Sequence, residues 1–193
     1  MINTPNFAGW RAIILAEEDS NIDRLRRQLM LLGVTATLQW LPLSIDDLPD
    51  LVVVDADRGW DELLPWPDGK PARPVVALLG SEAPGRIAWA IGCGASALIP
   101  KPVSVSTIYP ALVLAVASHL QRSEADARVA RLEERLRLRP VVFAAINRLK
   151  SERQIDDEEA YRLLRERAMD RRMPLEQLAA LFVGGSNALK DVG

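Results

Sequence analysis

Three carboxylates stand together in Glu17-Glu18-Asp19, a fourth, Asp55, ends the apolar run Leu51–Val54, and Lys101 follows the short run Ala97–Pro100. Brought to one edge, Glu17, Glu18 and Asp55 could hold Mg²⁺, Asp55 could accept a phosphoryl group, and Lys101 could neutralise the resulting charge. A second set lies far along the chain. Tyr161, Arg165 and Arg172 fall at helical steps of 4 and 7, with Arg162 and Met169 beside them. Exposed Tyr and Arg planes suit unpaired bases, while Arg148, Arg153 and Arg171 could meet phosphates. The same spacing also fits a plainer arrangement, in which Tyr161 and Met169 are core residues and the arginines a solvated face.

The remaining composition narrows the chemistry. The chain has 193 residues, 49% of them hydrophobic and 26% charged, so it folds around a core of ordinary size. One cysteine (Cys93) and one histidine (His119) exclude a disulfide and a Cys/His zinc site. No other constellation stands out, and the chain is expected not to be an enzyme. A formal net charge of -2 supplies no bulk field for polyanions, so nucleic-acid binding has to come from local arrangement. The opening Met1–Trp10 has no basic stretch, and the most apolar later segment, 108–120, is too short for a bilayer of ~30 Å. The expectation is a cytoplasmic protein without membrane contact. Trp40, Trp60, Trp66 and Trp89 read as core and loop packing rather than a stacking platform.

Several elements must position these groups. Ala12–Ala16, Leu51–Val54, Val75–Leu79 and Ala97–Pro100 are apolar runs of strand length, of the kind that suits parallel strands covered on both faces. Helix-period segments at Asn21–Leu32 and Gly85–Gly92 lie between them. The alternation predicts a doubly wound, flavodoxin-like α/β domain, whose chemistry sits at the carboxyl ends of the strands. A long helix is expected from Ser104 to about Arg139, ending before Pro140. Within it Ala125, Val129, Leu132 and Leu136 recur at steps of 4, 3 and 4 among charged neighbours, the pattern of a coiled-coil seam. The tail predicts three helices: Val141–Arg153, one capped by Asp156 with Glu159 three residues on, and one opening at Met173-Pro174. The expected segments are 1–118, 119–140 and 141–193.

The order of Glu17-Glu18-Asp19, Asp55 and Lys101-Pro102, with Gly33 and the stretch Gly94–Pro102, resembles the receiver domain of bacterial response regulators over residues 11 to 120. Two positions depart from that family. Leu79 stands where the family has a hydroxyl to hold the phosphoryl oxygen, and Leu98 where it has a switching aromatic. The tail, with Ala160-Tyr161-Arg162-Leu163-Leu164-Arg165-Glu166-Arg167-Ala168-Met169 and Leu178-Ala179, resembles the ANTAR domain, an RNA-binding output module of antitermination regulators; Ile146 and Lys150 depart from its usual Lys and Met. Among receiver–ANTAR chains the front half is similar to the aliphatic amidase regulators, on Trp40–Pro42, Leu48-Pro49-Asp50 and Val76-Ala77-Leu78 followed by Glu82 and Pro84.

These resemblances imply a receiver-like domain, a long coiled-coil helix and a small three-helix ANTAR bundle. They also imply a homodimer that stabilises stem-loops in leader RNA, under the control of a ligand-sensing negative regulator protein. Retention of Asp55 and Lys101 keeps a second course open, a phosphorylation-dependent two-component regulator driven by a histidine kinase, with Mg²⁺ in its pocket. A third is a protein-interaction adaptor that never touches nucleic acid.

Overall fold

The computed structural model describes residues 4–66 and 69–185. The chain divides into two compact units, Met1–Ser123 and Glu124–Gly193; residues 186–193 of the expected last segment lie outside the described residues.

In the first unit, five strands, β1 (Arg11–Leu15), β2 (Thr35–Gln39), β3 (Leu51–Asp55), β4 (Val75–Leu79) and β5 (Ala97–Pro100), form one parallel sheet in the order β2-β1-β3-β4-β5. The order reverses between β1 and β3. In doubly wound sheets the crevice beyond the carboxyl ends at that point is where ligands and ions bind. Helices α1 (Ser20–Leu31), α2 (Pro84–Gly92) and the start of α3 (Val105–Arg153) complete the unit.

All five residues of β3 are buried, and the strand's two-residue period divides them between two layers. Leu51 and Val53 join Ile22, Leu25 and Leu29 of α1 and Ile108 and Leu112 of α3. Val52 and Val54 join Leu63 and Ala90 on the other side. The four tryptophans pack against that second layer, as expected, with Trp40 and Trp60 edge to face at 5.0 Å. The expected strands lie within a residue of their observed limits.

β2 was not expected. Its sequence, Thr-Ala-Thr-Leu-Gln, has no continuous apolar run, because only Ala36 and Leu38 pack on the α1 layer. An edge strand covered on one face alternates instead of running apolar.

A larger departure concerns Pro140, since α3 does not stop at Arg139 but continues to Arg153. A proline inside a helix lacks the N–H that would bond the carbonyl of residue 136, and its ring crowds that carbonyl, at a cost of about 3 kcal/mol. Here Pro140 and Leu136 are both exposed, so water can meet that carbonyl and offset the lost hydrogen bond, though not the crowding. Residues 120–137 are all exposed.

In the second unit, the end of α3 packs with α4 (Asp157–Asp170) and α5 (Leu175–Val183). Ala145, Ile146 and Leu149 meet Ala160, Leu164 and Ala168, and Leu178, Ala179 and Phe182 close the core. Asp156 caps α4 by accepting from the Glu159 N–H at 2.8 Å, the start expected from sequence. Among the described residues no helix is long and apolar enough to cross a membrane.

Cys93 packs half-buried against the second layer of the sheet, where burial, and then the charge of Asp61, push its thiol up to about 11. The thiolate is the reactive form, so at pH 7.5 Cys93 should be alkylated at least tenfold more slowly in the native chain than in urea. Equal rates would mean that this layer is not packed as described.

Candidate functional site

The carboxyl edge of the first unit is organised by Lys101, which β5 delivers to the crevice. Its Nζ donates to Asp55 Oδ1 at 2.7 Å and to Asp57 Oδ2 at 3.0 Å. Asp55 is 5% exposed, the one buried charged residue among those described, and its Oδ1 also accepts from the Asp57 N–H at 3.0 Å. Asp57 in turn accepts from two consecutive backbone amides beyond β4: Gly80 N–H to Oδ2 at 2.8 Å and Ser81 N–H to Oδ1 at 3.0 Å. The loop after β3 is steadied by Arg86, which donates to the carbonyls of Ala56 and Gly59 at 3.4 and 3.0 Å. Trp89 lies over Gly59, where a Cβ would come within 2.0 Å of the indole, so that position excludes a side chain.

Burial opposes ionisation of Asp57, yet the Lys101 hydrogen bond and the two amides outweigh it and hold its carboxyl below the ordinary value. Burial likewise works against the Lys101 charge, and the bonds to Asp55 and Asp57 override it and raise the ammonium's pKa.

The other expected pocket residues go elsewhere. Glu17 pairs with Arg58, Glu18 reaches Arg26 at 3.8 Å, and Asp19 caps α1 by accepting from the Asn21 and Ile22 amides at 2.8 Å each. Glu17, Glu18 and Asp55, expected to share Mg²⁺, are thus each matched to a different cation of the chain. Among the described residues no three His, Cys, Asp or Glu side chains gather to hold a metal ion, so the residues as placed do not fit one. Leu79 is half-buried and brings no hydroxyl, and Leu98 is exposed on β5. Sequence reasoning missed Asp57, Gly80 and Ser81. The signal was Asp55-Ala56-Asp57, since acids two apart at a strand end can both face one crevice.

In the second unit, the two expectations for α4 separate clearly. Ala160, Leu164 and Ala168 are buried and Leu163 packs beside them, whereas Tyr161 is 43% and Met169 68% exposed. Tyr161 and Met169 are therefore surface residues, on a face with the exposed Arg162, Arg165 and Arg172. Arg162 also approaches Glu159 at 3.6 Å. Arg172 stands just beyond α4 with φ 52, a left-handed conformation that is uncommon for a residue with a side chain. Arg171 caps the same helix end, and Arg153 is the exposed last residue of α3.

Arg148 has a different use. It donates to Glu152 at 2.7 Å and to the Phe182 carbonyl at 2.9 Å, and its guanidinium lies 4.7 Å from the Phe182 ring centroid. It is engaged in holding the end of α5. The seam residues Ala125, Val129, Leu132 and Leu136 are all exposed, with the last three more than half so.

Comparison with known proteins agrees with this division. The ANTAR domain model matches residues 130–183, so the chain carries an ANTAR domain. The transcriptional regulatory protein PdtaR of Mycobacterium tuberculosis, from strains CDC 1551 / Oshkosh and H37Rv alike, is 29% identical over 152 residues, covering 74% of this chain and 71% of that protein. The response regulator StyR superposes with a TM-score of 0.51 at 16% identity, covering 91% of this chain and all of StyR. The first unit is a receiver-like domain in sheet order and connection, followed by a long helix and the ANTAR helices.

Lys101→Met would leave two carboxylates facing each other without their cation, and a loss of about 1–3 kcal/mol in denaturant unfolding at pH 7 is expected. Because the folded Asp57 pKa is depressed, its contribution is present above the ordinary carboxyl value of ~3.9 and disappears as pH falls through the folded value. The gap between wild type and variant should therefore narrow below about pH 4. A gap that stays constant there would show that the loss is not electrostatic.

Proposed function

We propose that this protein is a non-enzymatic, RNA-binding antitermination regulator that stabilises stem-loops in leader RNA and is controlled through its receiver-like domain by a protein partner. The observation that carries the reading is the division of α4. A helix whose inner face alone builds the core carries Tyr161, Arg165 and Met169 outward, next to Arg172. A tyrosine and several guanidiniums on one surface can stack on and hydrogen-bond bases splayed out of an RNA loop. Arg153 and Arg171 add charge for the backbone at the neighbouring helix ends. The presence of an ANTAR domain and the likeness to a transcriptional regulatory protein support this use.

The bare stretch of α3 supports a dimer. Val129, Leu132 and Leu136 on an exposed helix leave an apolar seam for its mate on a second copy, with Arg128, Arg131, Glu133 and Glu134 flanking it. Two bundles would then meet two RNA elements at once. Partner control is supported by the internally matched Asp55 pocket, and it is what the front half's sequence resemblance to the aliphatic amidase regulators implies, although the relative matched above is PdtaR. The second reading, a phosphorylation-dependent regulator, draws on the retention of an acceptor carboxylate and a lysine side by side at this edge, Asp55 and Lys101.

Tyr161→Ala and Arg165→Ala should keep helical circular dichroism and the thermal midpoint near wild type, while leader-RNA affinity at fixed salt falls at least several-fold; loss of a stacked aromatic costs ~1–3 kcal/mol per base. Arg172→Gly is a sharper version, since glycine relieves the left-handed backbone, so RNA binding should weaken with no fall in midpoint. Folded variants that bind as wild type would remove α4 as the interface. Leu132→Ala with Leu136→Ala should yield a monomer by light scattering, and a persistent dimer would place the interface elsewhere.

A further inference from the structure

Three donors converge at the carboxyl edge of the sheet: the Lys101 ammonium and the consecutive amides of Gly80 and Ser81. All three bond one carboxylate, that of Asp57, at 3.0, 2.8 and 3.0 Å, and Lys101 also bonds Asp55 at 2.7 Å. Successive backbone N–H groups beside an ammonium form an anion-binding concavity, and charge-assisted bonds of this kind are the strong ones. We propose that Asp57 is a built-in anion that fills an oxyanion cradle formed by Lys101 Nζ, Gly80 N and Ser81 N, so that the cradle is closed to phosphate-like anions until the Asp57 carboxylate is removed.

The surroundings support a cradle built for this purpose. Asp57 is held at its back by Arg86, through the carbonyls of Ala56 and Gly59 on either side of it in the chain. At position 80 a Cβ would stand 3.2 Å from Asp57 Oδ2 and 3.4 Å from Lys101 Cβ, so the glycine lets the amide come close to the carboxylate. Charge points the same way. Asp55, Asp57 and Lys101 together carry one net negative charge, and a phosphate brings ~1.5 to 2 more at neutral pH. An incoming oxyanion would have to displace Asp57 from all three donors and then lie beside two carboxylates. With Asp57 shortened to a methyl group, the same donors face an open space of about the lost carboxylate's size.

The inference concerns this pocket alone and does not depend on what α4 binds. It is tested with the full chain and inorganic phosphate, without RNA, by titration calorimetry. Asp57→Ala should bind phosphate at least tenfold more tightly than wild type, and adding Lys101→Met to that variant should abolish the gain. Equal binding by wild type and Asp57→Ala would overturn the proposal. So would a gain that survives Lys101→Met, because phosphate would then be landing elsewhere.

Asp57→Asn, which keeps the volume and removes the charge, should move in the same direction by at least threefold, and no gain in that folded chain contradicts the cradle. If either variant is unfolded in plain buffer, phosphate should restore its circular dichroism by refilling the donors. Failure of phosphate to do so counts equally against it.

Discussion

A single ammonium, Lys101 Nζ, lies between Asp55 at the end of β3 and Asp57 two residues on, and through Asp57 it is joined to the backbone after β4. The carboxyl ends of β3, β4 and β5 are thereby fixed to one another at the edge where a doubly wound sheet exposes its chemistry. A parallel sheet buried on both faces positions these strand ends closely, and the charges at the ends then have to be matched. Once Lys101 is shared between Asp55 and Asp57, and Glu17 and Glu18 have their own arginines, few charged groups on this edge remain unmatched. The edge is closed by its own residues.

Most of the sheet was legible in the sequence because burial on both faces writes itself as uninterrupted apolar runs. Leu-Val-Val-Val could hardly be anything but a central strand. β2 escaped because it sits at an edge, packs one face only and carries threonines on the other. Pro140 misled for a related reason. Part of the cost of a proline in a helix depends on whether water can reach the carbonyl it orphans, and that depends on exposure, which the local sequence does not state. The same exposure of residues 120–137 is what makes the seam of α3 visible.

The functional residues divide along similar lines. Asp55 and Lys101 come together as the strand ends foretold, whereas Glu17 and Glu18 do not join them, since Arg58 and Arg26 are nearer partners that no spacing rule would select. The spacing of Asp57 from Asp55 could place it in the crevice, but its role depends on two backbone amides more than twenty residues away, which no local pattern shows. On α4 the period of Ala160, Leu164 and Ala168 fixed the inner face correctly, and the outward placing of Tyr161 follows from it. Arg148 looked like its neighbours in sequence and differs from them in space because Phe182 returns beside it.

The two units therefore divide the work: an edge with its charges internally matched in the receiver-like domain, and an aromatic, arginine-bearing helix face in the ANTAR domain. The central claim is that this face reads RNA loops. It is tested most directly by competing a structured leader RNA against duplex DNA of the same sequence for the full-length protein at fixed salt. The account predicts that the RNA is preferred by at least tenfold, because unpaired bases offer faces for Tyr161 and a duplex does not. Equal binding to the two, or no binding to either, would contradict it.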